Sequence, residues 1–181
     1  MIYVFLAEGF EETEAIAPID CLRRAGKTVR IAGVGGTMIR GSHGITVGCD
    51  LSADDITLGD DLEMVVLPGG MPGTVNLGNS EAVRKAVTFC YEHDRFLAAI
   101  CAAPTVFGKM GLLKGRRATC YPGCEGDLTG ADYVQAPAVA DGNILTGRGP
   151  GAALDFGLLL VEKLCSKEAA DKLAAGMVCT R

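Results

Sequence analysis

Two rhythms of apolar residues alternate along the chain. Short runs that are apolar at nearly every position give way to longer segments in which apolar residues recur every three or four positions. The first pattern predicts strands buried on both faces, the second amphipathic helices. Ile2–Ala7, Thr28–Ala32, Glu63–Leu67 and Phe96–Ile100 are runs of the first kind. Helices are predicted over Glu11–Arg24, closed by Gly26, over Ser80–Asp94, with Val83, Ala86, Val87 and Cys90 on one face, and over Pro104–Leu113, Pro150–Leu164 and Lys167–Ala175. Met38–Arg40 and Ile45–Val47 read as a hairpin around Gly41-Ser42-His43-Gly44, and Val134–Val139 with Asn143–Thr146 as a second; Arg117–Tyr121 reads as a further strand. The alternation predicts an α/β fold, a three-layer flavodoxin-like sandwich with a mostly parallel central sheet, as a single domain over residues 1–181.

Composition narrows the function without naming it. A chain of 181 residues, 49% apolar and 22% charged, is globular in type, which excludes disorder and collagen-like repeats. Its 17 Lys and Arg against 22 Asp and Glu leave a net charge of −5, without the basic patch of a nucleic-acid binder. No apolar run has the length of a membrane span. The first apolar run has no basic flank and meets Glu8, so it reads as a strand and not a signal peptide, which points to the cytoplasm. In that compartment the eight cysteines are expected to stay reduced. They contain no C-x-x-C pair, and with only His43 and His93 beside them no metal site is expected. Gly26-Lys27-Thr28 lacks the first glycine of a phosphate loop, and Gly33-Val34-Gly35-Gly36 leads into a hairpin instead of a helix, so nucleotide binding has no support.

Sheets of this type collect their chemistry beyond the carboxyl ends of the strands. One such end is Phe96–Ile100, which runs into Cys101-Ala102-Ala103-Pro104. Pro104 suits a first helical turn, which places Cys101 at a sharp strand-to-helix junction where helix-end charge favours thiolate. The plainer reading of Cys101 is a small buried hydrophobe. Glu11-Glu12-Thr13-Glu14 follows the first strand, and Pro18 withholds the helical bond to the Glu14 carbonyl, predicting an irregularity there. A desolvated glutamate near the thiolate would keep its proton and serve as proton carrier. The amides of Leu67-Pro68-Gly69-Gly70, with that of Ala102, could hold an oxyanion. No histidine follows Cys101, and His93 reads as a solvated helix end, so a Cys-His dyad within the chain is not expected.

Taken together, Glu11-Glu12-Thr13-Glu14, Pro18-Ile19-Asp20, Leu22–Gly26, Val66–Gly70, Ala98–Pro104 and Arg148-Gly149-Pro150-Gly151 resemble the DJ-1/ThiJ/PfpI superfamily, in order and over nearly the whole chain. The resemblance implies an oxidation-sensitive nucleophile at Cys101, a protonated partner at Glu14, and backbone donors at Gly70 and Ala102. Ala102 stands where the protease-like branch has histidine, which points to the DJ-1 branch and away from peptidase activity. Tyr121 stands where that branch places a histidine near its cysteine, and tyrosine is a poor base at neutral pH. The family's homodimers would let Asp20, Arg24 and His43 contribute from either subunit. The implied activity needs no cofactor. It is a glutathione-independent glyoxalase, converting methylglyoxal to lactate, or a related deglycase acting on small aldehydes and dicarbonyls. The alternative is a non-catalytic redox sensor or chaperone in which Cys101 is oxidised to sulfinic acid.

Overall fold

The computed structural model describes residues 1–179. Seven strands form the central sheet: β1 (Ile2–Leu6), β2 (Val29–Gly33), β5 (Leu51–Ser52), β6 (Met64–Leu67), β7 (Phe96–Ile100), β10 (Ala138–Asp141) and β11 (Ile144–Gly147). Their order is β10-β11-β7-β6-β1-β2-β5, parallel throughout except for the β10–β11 hairpin at one edge. The strands β3 (Met38–Arg40) and β4 (Thr46–Gly48) make a separate antiparallel hairpin, and β8 (Arg117–Ala118) pairs in parallel with β9 (Asp132–Tyr133).

Side chains of successive strand residues point to opposite faces, and this alternation builds two cores. Tyr3, Phe5, Val65, Leu67, Leu97 and Ala99 pack under α2 (Gly73–Asn79), α3 (Glu81–Glu92) and α4 (Pro104–Lys109). Ile2, Val4, Leu6, Met64, Val66, Ala98 and Ile100 pack under α1 (Glu12–Arg24), α5 (Ala153–Leu164) and α6 (Lys167–Gly176). This is the α/β layered fold that the sequence predicts. Among the described residues, no helix is long and apolar enough to cross a membrane.

Helix ends explain most departures from the sequence reading. At the end of α1, Gly26 adopts φ +78°, its amide bonds the Arg23 carbonyl and the Lys27 amide bonds Leu22, the expected glycine cap. The same device at Gly111 (φ +76°), with Gly111 N to Gly108 O and Leu112 N to Phe107 O, stops α4 at Lys109, short of the predicted Leu113. The strand predicted over Val134–Val139 begins only at Ala138, after Pro137, which has no amide to give to a ladder. The predicted helix at 150–164 opens as a 3₁₀ turn over Pro150–Ala152. Pro18 stands inside α1 without ending it. Gly33–Gly36 leads through a turn into the β3–β4 hairpin, not into a helix.

Candidate active site

Two parallel strands and the first helix converge on the site. β7 ends at Ile100, and Cys101 then takes φ +66°, a left-handed conformation that costs a residue with a side chain about 1–2 kcal/mol. Its backbone is fixed on both sides: the amide bonds the Gly147 carbonyl at 2.9 Å and the carbonyl accepts from the Tyr121 amide at 2.9 Å. Pro104 opens α4, and Thr105 Oγ1 donates to the Ala102 carbonyl at 2.7 Å. Cys101 is 8% exposed, which leaves it a narrow opening to solvent.

The three carboxylates of the acidic stretch have separate tasks. Glu11 caps α1, its Oε2 accepting from the Glu14 amide at 2.7 Å. Glu12 reaches out of the same turn to hold the loop between β3 and β4: its Oε1 accepts from the amides of His43 (2.8 Å) and Ile45 (3.3 Å), and its Oε2 lies 2.9 Å from His43 Nδ1. Glu14 turns inward and is fully buried. Its Oε2 accepts from the Gly69 amide at 2.9 Å, while Oε1 has no hydrogen-bond partner.

Gly69, after β6, brings carboxyl and cysteine together. A Cβ on it would stand 2.5 Å from Glu14 Oε2 and 2.6 Å from Cys101 Cβ, so only a residue without a side chain lets both approach. Gly70 is needed for a second reason: it has φ +90°, and a Cβ there would meet the Glu11 amide nitrogen at 2.4 Å. The Cys101 thiol lies close enough to Glu14 to act as its donor, although the geometry of a formed hydrogen bond is not met.

Glu14 and Cys101 compete for one negative charge. Burial is the main reason that the Glu14 carboxyl is raised to about 7, and the charge of Glu11 adds to it; the neighbouring thiol and the Gly69 amide pull the other way. The thiol is also raised, first by burial and then by the charge and the acceptor oxygens of Glu14; the amides of Ala102 and Gly70 pull it down. This departs from the acidic thiol that the junction alone predicts. The sequence reading supplies a long helix beside the sulfur, whereas α4 has six residues and the negative neighbour is closer. The two contributions from Glu14 exist only while it is ionised. When Glu14 holds the proton they vanish, and its hydroxyl can donate to a thiolate.

The remaining predicted residues fall in three places. Tyr121 is tied to Cys101 through its amide, and its half-exposed ring lines a cleft of about 370 Å³ with Arg148 and Gly149. His43 is exposed, and its pKa is raised, above all by its bond to Glu12; it meets Glu11 Oε1 at 3.9 Å but faces Cys101 through no hydrogen bond of this chain. Asp20 and Arg24 pair with each other at 2.7 Å on the exposed side of α1, about 9 and 15 Å along the helix from Glu14. His93 caps α3 and stacks on Phe89 with ring centroids 4.0 Å apart, as a helix-end residue.

Among the described residues, Glu11, Glu12 and His43 bring three possible metal-ligand atoms within 4.8 Å of one another, a cluster that linear spacing does not reveal. Its carboxylates are already engaged with backbone amides of α1 and the loop. Reading the sequence also misses Gly69 as the amide that holds Glu14, and Glu12 as the anchor of the His43 loop. The Leu67-Pro68-Gly69-Gly70 run is a signal for the first; nothing local marks the second.

Residues 1–163 match the model of the DJ-1/PfpI family. The protein dj-1beta of Drosophila melanogaster is 39% identical over 178 residues, covering 97% of this chain and 95% of that one. A deglycase of Pyrococcus abyssi is 37% identical over 153 residues, covering 83% of this chain and 90% of its own. The crystal structure of Drosophila melanogaster DJ-1beta superposes with a TM-score of 0.94 at 37% identity, over 99% of this chain and 98% of that chain. With the fold, the strand-end cysteine and its buried glutamate in place, the chain belongs to the DJ-1/PfpI family.

Proposed function

We propose that this protein is a cysteine-dependent stress enzyme acting on reactive dicarbonyls, as a glutathione-independent glyoxalase or a related deglycase. The observation that carries the reading is the fully buried Glu14 carboxyl beside Cys101, with one oxygen held by Gly69 and the other unpartnered. A carboxyl raised to about 7 exchanges its proton readily at neutral pH, as a proton carrier requires. The deglycase name of the archaeal relative supports the deglycase form of this reading.

In the proposed reaction, proton transfer to Glu14 or to solvent leaves the Cys101 thiolate, which attacks the aldehyde carbon of methylglyoxal. The amides of Gly70 and Ala102, which already favour negative charge at the sulfur, receive the developing oxyanion. Protonation gives a hemithioacetal. Glu14 then moves the hydrogen of the former aldehyde carbon through an enediol to the adjacent carbon, which leaves a lactoyl thioester on Cys101. Water cleaves the thioester, releasing lactate and the free thiol; the oxidation of one carbon and reduction of the other occur within the substrate, and no cofactor enters. Lactate formation from methylglyoxal tests the reading. Wild type should form it and Cys101→Ser should not; equal turnover in both refutes it.

A redox-sensing or chaperone role is the second reading. It is favoured by the unpartnered Glu14 Oε1, which could donate to an oxygen of a Cys101 sulfinate. Peroxide titration followed by intact mass tests it, with selective addition of two oxygens at Cys101 expected. We further propose that the protein is cytoplasmic and a homodimer; the exposed Ile16 on α1, Met38 on β3 and Ile45 before β4 support the dimer. Sedimentation velocity would detect a monomer and refute the dimer.

A further inference from the structure

A cleft of about 340 Å³ opens beside the Cys101–Ala102 turn, between α2 and α4. This volume lies at the small end of ligand sites, about 300–1,000 Å³. Its walls start at the candidate site: Ala102 follows Cys101, and Met71 follows Gly70, so the cleft begins next to the two amides that act on the sulfur. Met71, Val75, Val106 and Met110 give it an apolar wall, beside the charged Arg84, Lys109 and Asp127. Within that lining Thr74 is 5% exposed, and its hydroxyl has no hydrogen-bond partner. A buried hydroxyl without a partner is costly, and a ligand oxygen met by turning Thr74 about χ1 would remove that cost. The cleft beside Tyr121 has no such group; the Arg148 guanidinium there donates to the Tyr133 hydroxyl at 2.9 Å.

We propose that the α2–α4 cleft is a specificity subsite, holding the branched or aromatic substituent of a carbonyl substrate larger than methylglyoxal, with Thr74 hydrogen-bonding an oxygen carried on that group. The proposal rests on the reading that Cys101 attacks a carbonyl carbon. It assigns the sulfur and its amides to the reacting carbon, and the methionine and valine wall to the part of the molecule that does not react. Methylglyoxal, with only a methyl group to offer, leaves most of this volume unused.

Gly78 provides the means to test it. It lines the cleft, its backbone is helical, and a Cβ on it would meet Val106 Cγ2 at 3.5 Å, an ordinary contact. Gly78→Met therefore attaches its side chain with an unstrained Cβ, reaches into the cleft and improves helix propensity. The experiment compares kcat/KM for phenylglyoxal and methylglyoxal in wild type and Gly78→Met, and measures calorimetric binding of mandelate, the hydroxy acid that phenylglyoxal would yield. Filling the cleft should lower the phenylglyoxal-to-methylglyoxal ratio by about tenfold or more and weaken mandelate to a similar degree. Thr74→Val should weaken 4-hydroxymandelate, whose ring carries an oxygen, by about fivefold relative to mandelate, with recovery in Thr74→Ser; equal effects on the two acids refute the Thr74 contact. A ratio and a mandelate affinity that both stay within about twofold of wild type in Gly78→Met overturn the subsite while leaving the aldehyde chemistry intact. Mandelate binding that Gly78→Met abolishes, in a protein that turns over neither aldehyde, supports the subsite and refutes the proposed activity instead.

Discussion

Replacing Glu14 by Gln should lower the upper of the two titration steps that Glu14 and Cys101 share. The substitution keeps shape and volume but removes the charge that competes with the thiolate. The contacts of both groups with Gly69 place the Glu14 oxygen and Cys101 Cβ no more than about 5 Å apart. Two unit charges at about 5 Å interact by about 3 kcal/mol at an effective dielectric constant near 20. That corresponds to about two pKa units on the second proton to leave. One further change acts in the same direction, since the Gln amide can donate to sulfur. Thiolate absorbance against pH gives the measurement, with the same titration in Cys101→Ser subtracted to remove the other thiols. In wild type the pair should release its first proton near 7 and its second well above it; in Glu14→Gln one lowered step should remain. An upper step that is unmoved or raised by Glu14→Gln refutes the shared charge.

Other substitutions probe the same frame. The Glu14 carboxyl, raised from 4.5 to about 7 in the folded chain, holds its proton longer folded than unfolded, so its stabilising contribution is complete below about pH 4.5 and is lost as pH rises through 7. The loss is about 3 kcal/mol; urea unfolding from pH 4 to 8 should show it in wild type but not in Glu14→Gln, and parallel curves would contradict it. Gly69→Ala should push the Glu14 oxygen away from Cys101 and reduce methylglyoxal turnover by about tenfold or more, with its thiol titration displaced; wild-type values of both would mean that the contact is unimportant. Glu12→Ala should free the His43 and Ile45 amides and cost about 2–4 kcal/mol, read as faster hydrogen exchange over residues 41–45; unchanged exchange would show that the carboxylate does not anchor the loop.

How far the chain could be read without coordinates depended on how local the cause was. Strands such as Met64–Leu67 and Phe96–Ile100 carry their signal in their own residues, and each is fully buried or nearly so in the sheet. The helix Gly73–Asn79 escapes a sequence reading because Gly-Thr-Val-Asn-Leu-Gly-Asn has Leu77 as its one strong helix former and no side-chain cap; tertiary packing of Leu77 and the Arg84 bonds to the Gly78 and Asn79 carbonyls support it. β5, with two residues, is too short to show a period. At the site, Cys101 and Gly70 were legible because junction geometry and a glycine run are sequence features. The task of Glu12 was not, since its partners lie some thirty residues away in a loop that only folding brings near. The titration of Cys101 departs from the sequence reading for the same reason: the helix dipole is written locally, while the opposing carboxyl arrives from another element.

The same distinction explains why a strained cysteine persists at the junction. Glycine would satisfy φ +66° at Cys101 without cost, and the strand could turn into α4 with it. Holding a side chain there requires outside support, which comes from opposite directions: β11 takes the Cys101 amide at Gly147, and the Tyr121 amide bonds its carbonyl. The conformation aims Cβ at the gap that Gly69 leaves open, where Glu14 waits. A chain that needed only a turn at this point would have no use for this arrangement. The strain, the missing side chain at Gly69 and the desolvated carboxyl each oppose stability alone, and all three serve one purpose in bringing a sulfur and an acid together.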